Sequence, residues 1–147
     1  MENKQYKDNM NKTEQIIKRS ADFVIAACCL IFFSPLAIAC AIAIRLEDGL
    51  PVIYRQERIG LHGKPFFIYK FRSMKIDAEK DGPDLLEIKG DPRLTKVGRF
   101  LRMHHLDELP QLWNVFKGDM AFVGPRPERK FYIDQIMEHD PRYTYLY

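Results

Sequence analysis

From Phe23 to Ile44 the chain runs 22 residues without an Asp, Glu, Lys, Arg or His, and only Ser34 and Pro35 interrupt the apolar side chains. As a helix rising roughly 1.5 Å per residue, this block would be about 33 Å long, enough for a hydrocarbon core of about 30 Å. It exceeds the apolar part of a secretory signal, begins behind a charged and polar stretch, and is followed by no small-x-small cleavage site. A buried core helix is the alternative, but about 100 flanking residues could hardly enclose it on every side. The block therefore reads as a retained membrane segment. Pro35 removes a helical hydrogen bond and predicts a kink near the middle, with the Ser34 hydroxyl in reach of the backbone groups it frees. A straight helix would put Lys18 and Arg19 on one side of a membrane and Arg45 on the other. A re-entrant one would bring both ends back to the same face, each arm being too short to span. Basic residues at both flanks favour the re-entrant form slightly, and the pattern leaves both topologies open.

Before the block, residues 1–22 read as a polar tail leading into a short amphipathic helix. There Ile16, Ile17, Lys18 and Arg19 supply the apolar and basic groups that a membrane interface favours. After Arg45 the period changes. Val52–Tyr54 and Pro65–Phe71, β-branched and aromatic around a glycine-containing loop at 60–64, predict a hairpin. Residues 77–92 read as a surface loop. A helix is expected over Lys96–Met103. A second follows, with Leu106, Leu109, Leu112, Trp113 and Phe116 at helical spacing and Gly118 as its C-terminal glycine. Residues 122–127, with two prolines, must be extended or turn-like. A last helix is expected over Glu128–Glu138. The fold class is thus α+β, mostly helical, with a membrane segment at the N-terminal end and a β-hairpin after it. The domains are residues 1–22, 23–44 and 45–147.

Composition matters here chiefly through its unevenness. The 23 basic and 20 acidic side chains of the 147-residue chain all lie outside the apolar block, and the net charge is +3. Such a chain is neither disordered, nor collagen-like, nor a plain soluble globule. After Ile44 there are 18 basic and 16 acidic residues, too even a balance to suggest a nucleic-acid partner. Cys28, Cys29 and Cys40 all fall within the block, odd in number and with no Cys-x-x-Cys pair, so no disulfide or zinc framework is indicated.

Asp107-Glu108 is the pair of most chemical interest. One reading is purely structural: Asp107 as helix N-cap, with Glu108 and Pro110 in the first turn. The other is functional, because adjacent carboxylates can share a magnesium ion with substrate phosphates or offer an oxygen as nucleophile. Arg99, Arg102, Lys70, Arg72 and Arg126 distribute five cations around the pair, which suits a phosphate-bearing substrate. No Walker loop, dinucleotide-binding glycine motif, His-Glu-x-x-His or Gly-x-Ser-x-Gly competes. His104 and His105 would point about 100° apart on a helix and make a poor metal pair, while His62 and His139 read as surface residues.

The runs Tyr54-Arg55-Gln56-Glu57-Arg58-Ile59-Gly60, Tyr69-Lys70-Phe71-Arg72-Ser73-Met74, Leu106-Asp107-Glu108-Leu109-Pro110-Gln111-Leu112-Trp113-Asn114, Gly118-Asp119-Met120 and Val123-Gly124-Pro125-Arg126-Pro127 resemble the bacterial sugar transferases. These are the small monotopic polyprenyl-phosphate phosphoglycosyl transferases, and the likeness covers roughly residues 14–140. The resemblance implies transfer of a phospho-sugar from a UDP-sugar to undecaprenyl phosphate, with release of UMP, as the first membrane step of glycan assembly. It implies Asp107 as a nucleophile forming a phosphosugar-aspartyl intermediate, Glu108 (with Asp107) holding Mg²⁺, and Arg102 contacting phosphates. Lys70, Arg72, Arg99 and Gln111 join the substrate-binding set, and Pro125-Arg126-Pro127 binds the uridine diphosphate portion. The resemblance also makes Ser34-Pro35 the break of a re-entrant helix, and the α+β fold that of a mostly helical monotopic membrane protein with a re-entrant N-terminal helix and a β-hairpin packed in a small cytosolic catalytic domain. The implied place is the bacterial inner membrane with the catalytic domain on the cytoplasmic face. Membrane lipid, a second copy of the chain and downstream glycosyltransferases are the implied partners, and nucleic acid is not.

Two departures stand out. His105 occupies a position where many members carry Ser or Thr, and the Arg-Pro-Gly-x-Thr-like run that usually follows the last helix is not found, so the chain reads as C-terminally truncated. Two further classes remain as alternatives. A membrane-anchored scaffold would bind without releasing UMP, and a metal-dependent phosphatase would liberate inorganic phosphate.

Overall fold

Nothing between Lys12 and Phe32 breaks a helix, and in the computed structural model α1 runs through that whole range. The structure describes residues 10–60, 63–78 and 91–140. The polar tail up to residue 9, the expected surface position of His62, most of the loop at 77–92 and Pro141 lie outside the described residues. Helix α2 (Ser34–Asp48) begins at the Ser34-Pro35 break, its proline in the first turn where no N–H is needed. The Ser34 hydroxyl donates to the Ile31 carbonyl at 2.8 Å, the local bond that the break called for. The chain bends by 59° there. Among the described residues no single helix is long and apolar enough to cross a membrane, whereas α1 and α2 taken together are, by length and composition. Both helices exceed the apolar block. Helix α1 absorbs the segment expected to be a separate interfacial helix, and α2 continues to Gly49, whose φ of 72° ends it.

Strands β1 (Ile53–Ile59) and β2 (Pro65–Phe71) form a two-stranded sheet. Strand β1 is longer than the apolar run that announced it, because Arg55, Gln56, Glu57 and Arg58 continue the alternation of exposed and half-buried positions with polar side chains. Helix α3 is Lys96–Met103, as its pattern predicts. The following helix starts later than its apolar spacing suggests: Leu106–Glu108 is a short 3₁₀ turn, and α4 is Gln111–Lys117. Pro110 accounts for the delay, since it donates no hydrogen bond and crowds the carbonyl four residues back. The turn is closed by i→i−3 bonds instead, Glu108 to His105 and Leu109 to Leu106. Gly118, at φ 99°, ends α4 and donates to the Asn114 carbonyl at 3.0 Å. Helix α5 (Lys130–His139) is the last described element.

The chain divides into two compact units. One comprises Cys29–Arg55 and Tyr69–Leu112. Its core is Cys40, Ile44, Phe71 and Leu101, with Ala37, Ala41, Val52, Val97, Leu106 and Leu109 against it. Helix α3 is capped twice at its N-terminus. The Thr95 side chain accepts from Gly98, and the Glu47 carboxylate, reaching over from α2, accepts from Lys96 and Val97 at 2.8 Å each. Gly98 permits a contact no other residue could: a Cβ there would lie 1.9 Å from the Ser73 carbonyl oxygen.

The other unit comprises Met1–Cys28, Gln56–Ile68 and Trp113–Tyr147. Asn114 is fully buried at its centre, donating to the Phe67 carbonyl at 2.7 Å and to Asp119 at 3.2 Å. Its own carbonyl oxygen accepts from Gly118 and Asp119. Phe23 stacks on Phe116 and Phe116 on Trp113. Arg19 donates to the carbonyls of Val115 and Phe116 at 2.7 Å each, closing the C-terminal end of α4, and Lys18 donates to Val123 at 2.9 Å. Two basic residues that read as interfacial groups in the sequence thus hold protein backbone.

Candidate functional site

The site begins with a bend in the backbone. After α3, His105 adopts the left-handed conformation at φ 55°, and this reversal delivers Leu106-Asp107-Glu108 into the 3₁₀ turn. Leu106 packs into the core, while Asp107 is buried and Glu108 half-buried beside it. Asp107 therefore sits inside the turn rather than capping α4; the N-cap position of the turn belongs to His105, whose side chain makes no cap bond.

Strand β2 supplies Lys70, whose ammonium pairs with Glu108 at 3.3 Å. Helix α3 supplies Arg102, whose Nε donates to the Ser73 hydroxyl at 2.9 Å, which sets the plane of the guanidinium. Burial pushes the Asp107 carboxyl above its ordinary range, and the adjacent Glu108 charge adds to that; Lys70 and Arg102 act in the opposite direction. The result is a little-hydrated carboxyl group flanked by a second carboxylate and two cations, all within one unit.

The remaining expected residues are placed differently. Arg72 is buried, donates to the carbonyls of Asp48 and Gly49 at 2.8 and 3.2 Å, and pairs with the Asp48 carboxylate at 3.1 Å. Its charge is engaged at the C-terminal end of α2. Arg99 lies exposed on α3. Gln111 opens α4 with its amide nitrogen buried and given no protein acceptor. Pro125-Arg126-Pro127 belongs to the other unit, without helix or strand, as its two prolines require. Ser34 and Pro35 mark the bend between α1 and α2.

Some contributors were not singled out by sequence reading. Ser73 lies within a recognisable run, but its hydroxyl faces Arg102 only through the close approach of its backbone to α3 that Gly98 allows. Arg58 pairs with Glu128 at 3.1 Å beside the Pro-Arg-Pro turn, 70 positions on, and no local pattern signals such a pair.

Among the described residues no group of three or more His, Cys, Asp or Glu side chains could by itself hold a metal ion. What the chain offers is two adjacent hard-oxygen ligands, Asp107 and Glu108. That donor set fits Mg²⁺, which commonly takes one or two carboxylates and completes its shell with substrate phosphates and water.

The model of the bacterial sugar transferase family matches residues 13–147. A Bacillus subtilis protein provisionally named undecaprenyl-phosphate N-acetylgalactosaminyl 1-phosphate transferase is 48% identical over 128 residues, covering 87% of this chain and 71% of the relative. A UDP-N-acetylgalactosamine-undecaprenyl-phosphate N-acetylgalactosaminephosphotransferase of Aeromonas hydrophila is 44% identical, covering 88% of this chain and 30% of its own. A UDP-glucose:undecaprenyl-phosphate glucose-1-phosphate transferase of Caulobacter vibrioides is 46% identical, covering 88% and 48%. The chain thus spans less than half of the latter two relatives.

Proposed function

Because the chain belongs to the bacterial sugar transferase family, we propose that it transfers a phospho-sugar from a UDP-sugar to undecaprenyl phosphate and releases UMP. The relatives' names support the substrate pair. The observation that carries the mechanism is the buried Asp107 carboxyl set between Glu108, Lys70 and Arg102.

A carboxylate oxygen of Asp107 attacks the phosphorus that bears the sugar. The bond from that phosphorus to the bridging oxygen breaks, and UMP leaves with the electron pair. A phosphate oxygen of the polyprenyl phosphate then attacks the same phosphorus. The aspartyl–phosphorus bond breaks, Asp107 is regenerated, and a polyprenyl diphospho-sugar results. Splitting one displacement into two lets substrates from different solvents react in turn at one carboxylate. Burial strips water from that carboxylate, and Lys70 and Arg102 keep its ionised form accessible. The same two cations face the phosphate charge, Arg102 oriented by Ser73. Mg²⁺ would be held by Glu108 and Asp107 and would supply neutralisation of diphosphate charge.

The lipid substrate requires a site at a membrane surface. The 59° bend at Ser34-Pro35 and the exposed Ile31, Phe32, Ile38 and Ile42 support a re-entrant helix pair entering from the cytoplasmic face of the inner membrane. In a UMP-release assay, membrane-inserted protein with undecaprenyl phosphate, Mg²⁺ and a panel of UDP-sugars should release UMP with at least one donor. Asp107→Asn should lower that rate at least about a thousandfold. Turnover unchanged by Asp107→Asn would refute the nucleophile, and phosphate release in place of UMP would refute the reaction.

A further inference from the structure

Glu47 and Asp48 close α2, and between them they hold both sides of the bond that joins Arg102 to Ser73. All of these residues belong to one unit. Asp48 acts on the segment after β2. Its carbonyl and that of Gly49 accept from the buried Arg72 guanidinium, and its carboxylate pairs with the same group at 3.1 Å. The Arg72 amide donates to the Val52 carbonyl at 2.8 Å. Ser73, the next residue, is thereby fixed to the end of α2. Glu47 acts on α3: one carboxylate oxygen accepts from the Lys96 amide and the other from the Val97 amide, at 2.8 Å each.

Such a contact has a plain structural reading, since the first amides of a helix need acceptors. Two observations take it further. Thr95 already caps α3 from within its own segment, accepting from the Gly98 amide at 2.8 Å, whereas Glu47 reaches over from 49 positions earlier in the chain. Moreover, α3 meets Ser73 through Gly98, which brings two backbones together without a side chain to key them. The Thr95 amide donates to the Ser73 carbonyl at 3.1 Å, giving α3 one attachment there. One attachment is a pivot; the second, Glu47, sets the direction in which the helix leaves it. Arg102 stands six residues beyond Lys96. That is about 9 Å along the helix, so a tilt of about 10° at its start would move Arg102 by about 1.6 Å. Such a shift is enough to part the 2.9 Å bond from Arg102 Nε to the Ser73 hydroxyl.

We propose that Glu47 is a positioning residue: by fixing the start of α3 to α2, it keeps Arg102 on the Ser73 hydroxyl and so in place near Asp107. Helix α2 is the second arm of the bent apolar pair, so the orientation of a site cation is tied to that arm. The inference rests on the reading of Asp107 and Arg102 as parts of a phosphoglycosyl transfer site and adds the residue that holds one of them there. A cap and a positioning residue are separable. A cap alone stabilises the folded chain and leaves the turnover of folded molecules unchanged. A positioning residue acts on turnover through the Ser73–Arg102 bond, and its effect vanishes once that bond is removed by other means.

The test is a double-mutant cycle on UMP release by the full chain in membranes, with a UDP-sugar, undecaprenyl phosphate and Mg²⁺, below the melting transitions of all variants. Glu47→Ala and Ser73→Ala should each lower kcat/KM about tenfold, the scale of one hydrogen bond to a charged group. The double variant should lose about ten- to twentyfold rather than about a hundredfold. Glu47→Gln, which keeps one acceptor for the two amides, should fall between the parent and Glu47→Ala. Melting temperatures drop under either role and do not decide. Turnover at the parent's rate in Glu47→Ala or in Ser73→Ala, or a double variant down about a hundredfold, would overturn the inference. Should Glu47→Ala fail to fold, the same cycle with Glu47→Gln decides. If the parent releases no UMP from any donor, the reading of the site falls and the inference with it. If the parent releases UMP and the two substitutions act independently, only the inference falls.

Discussion

The proposed role of Asp107 sets two requirements that pull against each other: a nucleophile must be ionised, yet a reactive one must be poorly hydrated. The structure buries the carboxyl and sets Lys70 and Arg102 near it, which supports that role. This has a measurable consequence for stability. With its folded pKa above the unfolded one, Asp107 binds more protons in the native state than in the unfolded chain between those two values. Its contribution to stability is therefore present below the ordinary carboxylate range and is lost as pH rises through the raised folded value. Asp107→Asn, neutral at every pH, should melt at a higher temperature than the parent near neutrality, and the gap should close on acidification. Thermal melts from neutral to acid buffer measure this, and an Asn variant less stable at neutral pH would contradict it. At this scale the sequence was informative about identity and silent about environment. The Leu106–Asn114 run singled out the two carboxylates. That Arg72 would turn to Asp48 while Arg102 stays with the pair could not be read, since both arginines look alike in sequence.

The elements were the most legible part of the chain. Helix α3 occupies the range expected of it, α4 ends at the glycine expected to end it, and Ser34-Pro35 divides the apolar block. The late start of α4 at Gln111 shows the limit of periodicity. Leu106 and Leu109 keep helical spacing because a 3₁₀ turn also brings residues three apart onto one side, so apolar spacing alone does not distinguish the two. How elements meet was less visible. Gly98 is an unremarkable helix residue in sequence, yet it lies against the Ser73 backbone so closely that a methyl group would overlap the carbonyl. Gly98→Ala should therefore destabilise the protein by about 3 kcal/mol, although alanine is the better helix former. Urea unfolding followed by circular dichroism would measure it, and a neutral or stabilising result would mean that α3 and the segment holding Ser73 can part at little cost. Because Ser73 also orients Arg102, activity should fall with stability in this variant.

For the whole molecule the decisive feature is the bent apolar pair. With Cys28, Cys29 and Cys40 replaced, single cysteines at Asn11 and Leu46 should both react with a membrane-impermeant maleimide from the cytoplasmic side, as a re-entrant pair requires. Labelling from opposite sides would instead establish a spanning helix. The sequence by itself determined the apolar block and its break, the order of helices and hairpin, and the acidic pair. These depend on local propensity, proline chemistry and short-range spacing, which act between residues close along the chain. Only the tertiary structure decided which cations attend Asp107, that Arg19 and Lys18 hold backbone carbonyls, and that Arg58 meets Glu128. Apart from Arg102 and Asp107, each of those pairings joins residues tens of positions apart, and no spacing rule encodes a partner that packing alone brings near.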